Sequence, residues 1–104
     1  MREITPDELR TMLSGAAPPL LVDVREPWEA GLAQLPGSIL IPLNSLPQRL
    51  QEIPRERAVA LYCHHGIRSL VAADYMARAG YDALSLAGGI DRWAAETEPG
   101  MKRY

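Results

Sequence analysis

The chain has 104 residues, 47% hydrophobic and 23% charged, the composition of one ordinary globular domain with a single modest core. Eleven Lys and Arg stand against thirteen Asp and Glu, and the basic residues are dispersed, so neither a nucleic-acid footprint nor an attraction to an anionic membrane is encoded. No apolar run nears the ~20 residues that cross a bilayer, and the opening Met-Arg-Glu-Ile-Thr-Pro lacks a signal peptide's apolar core, so the expected compartment is the cytoplasm.

Thr5-Pro6-Asp7-Glu8 opens a helix, with Thr5 as cap, Pro6 in the first turn and Glu8 completing a capping box. Leu9, Met12 and Leu13 follow at helical spacing, and Gly15 stops it. After Pro18-Pro19, Leu20 to Val24 reads as a buried strand. Glu26-Pro27-Trp28-Glu29 begins a short turn or helix closed by Gly31. Ile39 to Ile41 is a second buried-strand candidate, and Ser45 to Gln51 a helix with Leu46 and Leu50 inward. Arg57 to Tyr62 is a third strand, Ile67 to Ala79 the strongest helix, Ala83 to Leu86 another strand, and Asp91 to Ala95 a last helix after Gly88-Gly89. Residues 96–104 show no period and are expected to be irregular.

This alternation predicts one α/β domain over 1–104, a central parallel sheet of about five strands with helices on both faces. Ligands of such sheets bind beyond the carboxyl ends of the strands. Two strands end in unusual polar residues there, Val22-Asp23-Val24-Arg25 and Leu61-Tyr62-Cys63-His64, so that edge is the expected site.

The only cysteine, Cys63, cannot form an intramolecular disulfide or a paired-cysteine zinc site. By composition alone it reads as an inert core residue, because free cysteine is usually buried. Its position argues for a reactive thiol. Cys63-His64-His65-Gly66-Ile67-Arg68-Ser69 joins a buried strand to a strong helix, and such a loop can turn successive N–H groups toward one centre. The helix start adds partial positive charge, Gly66 permits unusual torsions, and Arg68 adds a planar cationic fork. A thiol at the mouth of that cup is expected to be held as thiolate.

The same residues resemble the active-site loop of the rhodanese superfamily. The resemblance spans nearly the whole chain: Leu21-Val22-Asp23-Val24-Arg25-Glu26 is similar to its Asp-Val-Arg-Glu signature. Leu35-Pro36-Gly37-Ser38 is similar to its Ile-Pro-Gly-Ala segment, and Leu86 to Trp93 to its closing Gly-Gly-x-x-x-Trp helix. One departure is Gln34, where many members carry a histidine; the position is read as structural. From Cys63 to Arg68 the loop has six residues, as in sulfur-transferring members, whereas phosphatases of this fold use a loop one residue longer.

The resemblance implies a sulfurtransferase in which Cys63 takes sulfane sulfur from thiosulfate or a persulfide donor. Cys63 would pass it to cyanide, a thiol or a protein, with no cofactor beyond the covalent persulfide. Alternatives are a non-catalytic binding module of the same fold and, less favoured, a phosphatase or arsenate reductase. Partners are expected to be a small sulfur donor, a protein donor or acceptor, and at most a weak homodimer of this chain.

Around Cys63, the loop residues His64, His65, Gly66, Ile67, Arg68 and Ser69 are expected to bind substrate or anion. The two histidines shape the cup or its rim rather than hold a metal, and Ser69 caps or pads the helix start. Asp23 is expected to anchor backbone groups or pair with an arginine. Arg25 either assists anion binding or pairs with Glu26 or Glu29, and the sequence leaves the two open. Trp28 and Trp93 read as core or rim packing, and Gly88-Gly89 as a tight strand-to-helix turn.

Overall fold

The computed structural model describes residues 1–104. Five strands, β1 (Arg2–Ile4), β2 (Leu20–Asp23), β3 (Ile39–Leu40), β4 (Val59–Tyr62) and β5 (Ala83–Leu86), form one sheet in the order β1-β5-β4-β2-β3. Every pairing is parallel. Helices α1 (Pro6–Leu13), α2 (Pro27–Ala30), α3 (Leu46–Arg49) and α4 (Ile67–Arg78) connect successive strands, and α5 (Gly89–Glu96) follows β5.

Side-chain alternation along the central strand divides the core between the two sheet faces. Val59, Leu61 and Cys63 join Ala72, Ala73 and Met76 of α4 and Leu46 of α3 on one face. Ala60 and Tyr62 join Leu9 of α1 and Ile90 and Trp93 of α5 on the other. All four residues of β4 are buried, as a strand covered on both faces requires.

The predicted elements are present, the expected Arg57–Tyr62 strand starting only at Val59, with four further differences. The strand β1 was not predicted: it is a three-residue edge strand of which only Ile4 is buried, too little apolar pattern to register. Of the expected buried strand Ile39–Ile41, Ile41 is fully buried, but Ile39 and Leu40, which form β3, are partly exposed because β3 is the other sheet edge. The single helix expected over Ser45–Gln51 is a four-residue α3 between 3-10 turns at Leu43–Ser45 and Leu50–Glu52. Pro47, which has no N–H to give, sits inside it. The last helix begins at Gly89, two residues before Asp91. Beyond Glu96 there is no helix or strand. No helix is long and apolar enough to cross a membrane.

Because the strands are parallel, the ends of β2, β4 and β5 open on one edge. Asp23 is paired with Tyr62 across β2 and β4, so Cys63 follows directly beside Val24 and Arg25.

Candidate active site

Cys63 is the first residue beyond β4 and is 1% exposed. The chain turns back over its own sulfur: the N–H of Gly66 donates to Cys63 Sγ at 3.1 Å, and the N–H of Ser69 at 3.3 Å. Two backbone N–H groups thus converge on one sulfur, the arrangement of an anion-binding nest. Ser69 Oγ lies 3.6 Å from Sγ, donates to the Gly66 carbonyl at 3.3 Å and shares a 2.9 Å hydrogen bond with Ser85 of β5. Both serines are fully buried, so this pair fixes the floor beneath the sulfur.

For N–H groups to face inward, the loop carbonyls must find partners outside. The first turn of α5 provides them. Ile90 N–H donates to the Cys63 carbonyl at 2.8 Å and Asp91 N–H to the His64 carbonyl at 3.1 Å, using donors a helix start leaves unsatisfied. This approach requires Gly88 and Gly89, at φ 74° and 62°. A Cβ on Gly89 would overlap the Cys63 and His64 carbonyls. Gly66, at φ 99°, is the left-handed cap of α4 and packs against the Gly88 backbone.

Arg68 does not present an open fork. Both terminal nitrogens are held by Glu29 of α2, at 2.6 Å to Oε1 and 2.8 Å to Oε2. Glu29 is 3% exposed. Its carboxyl is held down at about 2, chiefly by the Arg68 pairing, which outweighs burial, with further help from Tyr104 and the Glu26 N–H. The same pairing raises Arg68 above the ordinary arginine range. Tyr104 O–H donates to Glu29 Oε2 at 2.7 Å and accepts from Arg25 Nη1 at 2.9 Å. Its phenol is pushed up to about 12, first by burial, so it keeps its proton to give.

Asp23 and Arg25 form a bidentate pair, Nε to Oδ1 and Nη2 to Oδ2, both at 2.8 Å and both residues fully buried. Asp23 also accepts the Arg25 N–H at 3.0 Å and the Tyr62 hydroxyl at 3.2 Å. Arg25 Nη2 donates to the Ala33 carbonyl at 2.6 Å. Of the two readings the sequence left open, the structure supports pairing, with Asp23 rather than with the Glu26 or Glu29 side chains. Its side-chain donors are consumed within the fold, by Asp23, Tyr104 and the Glu29 and Ala33 carbonyls.

His64 is sandwiched between rings, stacked on Tyr104 at 3.8 Å and 9° and against His65 at 3.9 Å. His64 Nε2 is buried without a hydrogen-bond partner. His65 is largely exposed, with Nδ1 3.9 Å from Asp91. Ile67 is 74% exposed beside the loop. No group of three His, Cys, Asp or Glu side chains converges as a metal site would require. Gln34 is exposed, and the structural work at that bend falls to its neighbour Leu35, whose N–H donates to the Tyr62 hydroxyl at 3.1 Å.

The pattern of the Rhodanese-like domain family matches residues 5–96, almost the entire chain. The chain belongs to the rhodanese-like family. A protein named Sulfurtransferase from Allochromatium vinosum is 37% identical over 100 residues, covering 95% of this chain and 94% of that protein. The probable adenylyltransferase/sulfurtransferase MoeZ of Mycobacterium tuberculosis is 39% identical over 97% of this chain, which spans only 26% of that longer protein. Among solved structures, the human single-domain sulfurtransferase TSTD1 superposes with a TM-score of 0.83 at 27% identity, covering 90% of this chain and 96% of that one.

In this rhodanese-like domain Gly66 and Ser69 contact the Cys63 sulfur, Arg68 is turned to Glu29, His65 and Ile67 are largely exposed, and Asp23 and Arg25 lie at the same sheet edge. Sequence reasoning missed Glu29 as the partner of Arg68, Ser85 beneath the loop, and Tyr104 above it. An acidic residue placed to pair with Arg68 was the one available signal, because an arginine in a first helical turn opposes the helix dipole and calls for an anion. Neither Ser85, one polar residue in an apolar strand, nor Tyr104, in a stretch without period, carries a comparable signal.

Proposed function

We propose that this protein is a sulfurtransferase carrying sulfane sulfur as a persulfide on Cys63, with thiosulfate as a competent donor. The observation that carries this reading is the pair of N–H donors on Cys63 Sγ, one from Gly66 inside the six-residue loop that ends at Arg68 and one from Ser69 directly after it. Such donors would stabilise a persulfide anion formed on that sulfur.

In the first half-reaction Cys63 thiolate attacks the outer sulfur of thiosulfate. A bond forms between Sγ and that sulfur, the donor's S–S bond breaks, and sulfite leaves with the electron pair. In the second, an acceptor nucleophile such as cyanide or a thiolate attacks the terminal sulfur. The Sγ–S bond breaks and Cys63 thiolate returns. Arg68, held at the loop's end by Glu29, supplies positive charge for the sulfonate of the incoming donor. His64, His65, Gly66, Ile67 and Ser69 form the remaining wall, and Asp23 with Arg25 supports it. Neither step consumes a metal or organic cofactor. A protein persulfide or protein thiol suits the same chemistry as donor or acceptor.

The span from Cys63 to Arg68 supports sulfur transfer over phosphate-ester hydrolysis, and retention of both residues supports an enzyme over a binding module. Steady-state kinetics with thiosulfate and cyanide test the proposal. Parallel double-reciprocal lines are expected for wild type, the signature of two separated half-reactions, with turnover in Cys63→Ser lowered by at least about 10³-fold while its circular dichroism is unchanged. Converging lines, or normal turnover by Cys63→Ser, would contradict it.

A further inference from the structure

Tyr104 touches one end of the active-site loop and reaches the other through Glu29, without being part of the loop. Its ring lies flat on His64, the residue after Cys63, at 3.8 Å between centroids and 9° between planes. Its hydroxyl reaches the other end, donating at 2.7 Å to the Glu29 oxygen that also accepts from Arg68 Nη2 at 2.8 Å. The hydroxyl in turn accepts from Arg25 Nη1 at 2.9 Å, and Arg25 is immobilised by Asp23. The segment that brings Tyr104 here is fastened by Arg103, whose guanidinium donates twice to Asp91 at 3.0 and 3.2 Å. The edge of Trp28 closes the outer side of the Tyr104 ring at 6.0 Å.

We infer that Tyr104 is a positioning residue for anionic sulfur donors, acting on Arg68 through Glu29. The inference rests on the sulfurtransferase reading above. Glu29 opposes Arg68 directly, and a carboxylate with no other partner would cancel most of the charge that Arg68 offers an incoming anion. The Tyr104 hydroxyl, polarised by Arg25, withdraws part of that negative charge and fixes the orientation of the carboxylate. Arg68 thereby keeps both a defined place and a surplus of positive potential at the loop. The His64 stack makes the arrangement specific, because it sets the ring plane and so the direction of the hydroxyl.

Tyr104→Phe keeps the ring and removes only the hydroxyl. It is compared with wild type, Glu29→Gln and the double variant in two assays. One is steady-state transfer from thiosulfate to cyanide. The other is the rate of Cys63 alkylation by iodoacetate, an anion, relative to neutral iodoacetamide, which reads the potential at the sulfur without any sulfur transfer. Loss of one charge-assisted hydrogen bond is expected to raise KM for thiosulfate about three- to tenfold. The kcat should stay within about twofold of wild type, and the iodoacetate preference should fall by a similar factor to the KM change. In the Glu29→Gln background the same substitution should change nothing further, since Tyr104 acts through Glu29. Unchanged KM and alkylation preference in Tyr104→Phe would overturn the inference, and so would an undiminished effect in the Glu29→Gln background. Should wild type itself fail to transfer sulfur from thiosulfate, the parent reading falls, while the alkylation ratio still decides the role of Tyr104.

Discussion

Glu29 holds a buried negative charge at the site's edge, and every oxygen it exposes to the fold has a donor: Arg68 on both, Tyr104 on one and the Glu26 N–H on the other. Its folded value of about 2 lies below the ordinary 4.5, so the stability it contributes is fully present above about pH 5 and is lost as pH falls toward 2. With the part-exposed Arg68 discounted for solvent screening, that contribution is of order 2 kcal/mol. Urea unfolding of wild type and Glu29→Gln between pH 6 and 3 checks this. Wild-type stability should fall more steeply than the variant's as the solution is acidified, and parallel pH profiles would contradict the assignment. At this scale the sequence pointed to the proposed nucleophile and its arginine, because both sit in one short loop. It hid Glu29, which lies 39 positions from Arg68 and meets it only through folding.

At the scale of elements, the start of α5 shapes the loop as much as α4 does. Its N–H groups take the loop carbonyls outward and leave the loop's own N–H groups for the sulfur. The glycine pair that permits this contact was legible in the sequence as a turn, but its second duty depends on how closely two backbones approach, which no local pattern encodes. Gly89→Ala should therefore cost about 3 kcal/mol or more, since it combines a left-handed φ with an overlap against the Cys63 and His64 carbonyls. Gly37→Ala is the control: it shares a positive φ of 81° but has nothing within 4 Å of the added carbon, so about 1 kcal/mol is expected. Thermal unfolding that ranks the two equally would remove the close approach from the account. Periodicity found α1, α4 and the inner strands β2, β4 and β5, where burial on fixed faces leaves a pattern. It missed β1 and overstated the burial of β3, because edge strands lack one neighbour and half their apolar coverage.

For the whole molecule, a parallel sheet brings three strand ends to one edge, and the chain uses that edge for a single purpose. From β2 come the buried Asp23–Arg25 pair, from β4 the cysteine, from β5 the serine floor, and from the segment beyond α5 the tyrosine that spans the loop. The alternation of elements was enough to place Cys63 at that edge, and the four matching stretches were enough to place the chain in its family. The proposed function requires Cys63 to carry sulfur covalently. Intact-protein mass spectrometry after brief exposure to thiosulfate, without reductant, tests it most directly. A gain of one sulfur atom (about 32 Da), reversed by cyanide with release of thiocyanate and absent from Cys63→Ser, is the result expected from covalent catalysis. An unchanged mass, or an equal gain in Cys63→Ser, would contradict it.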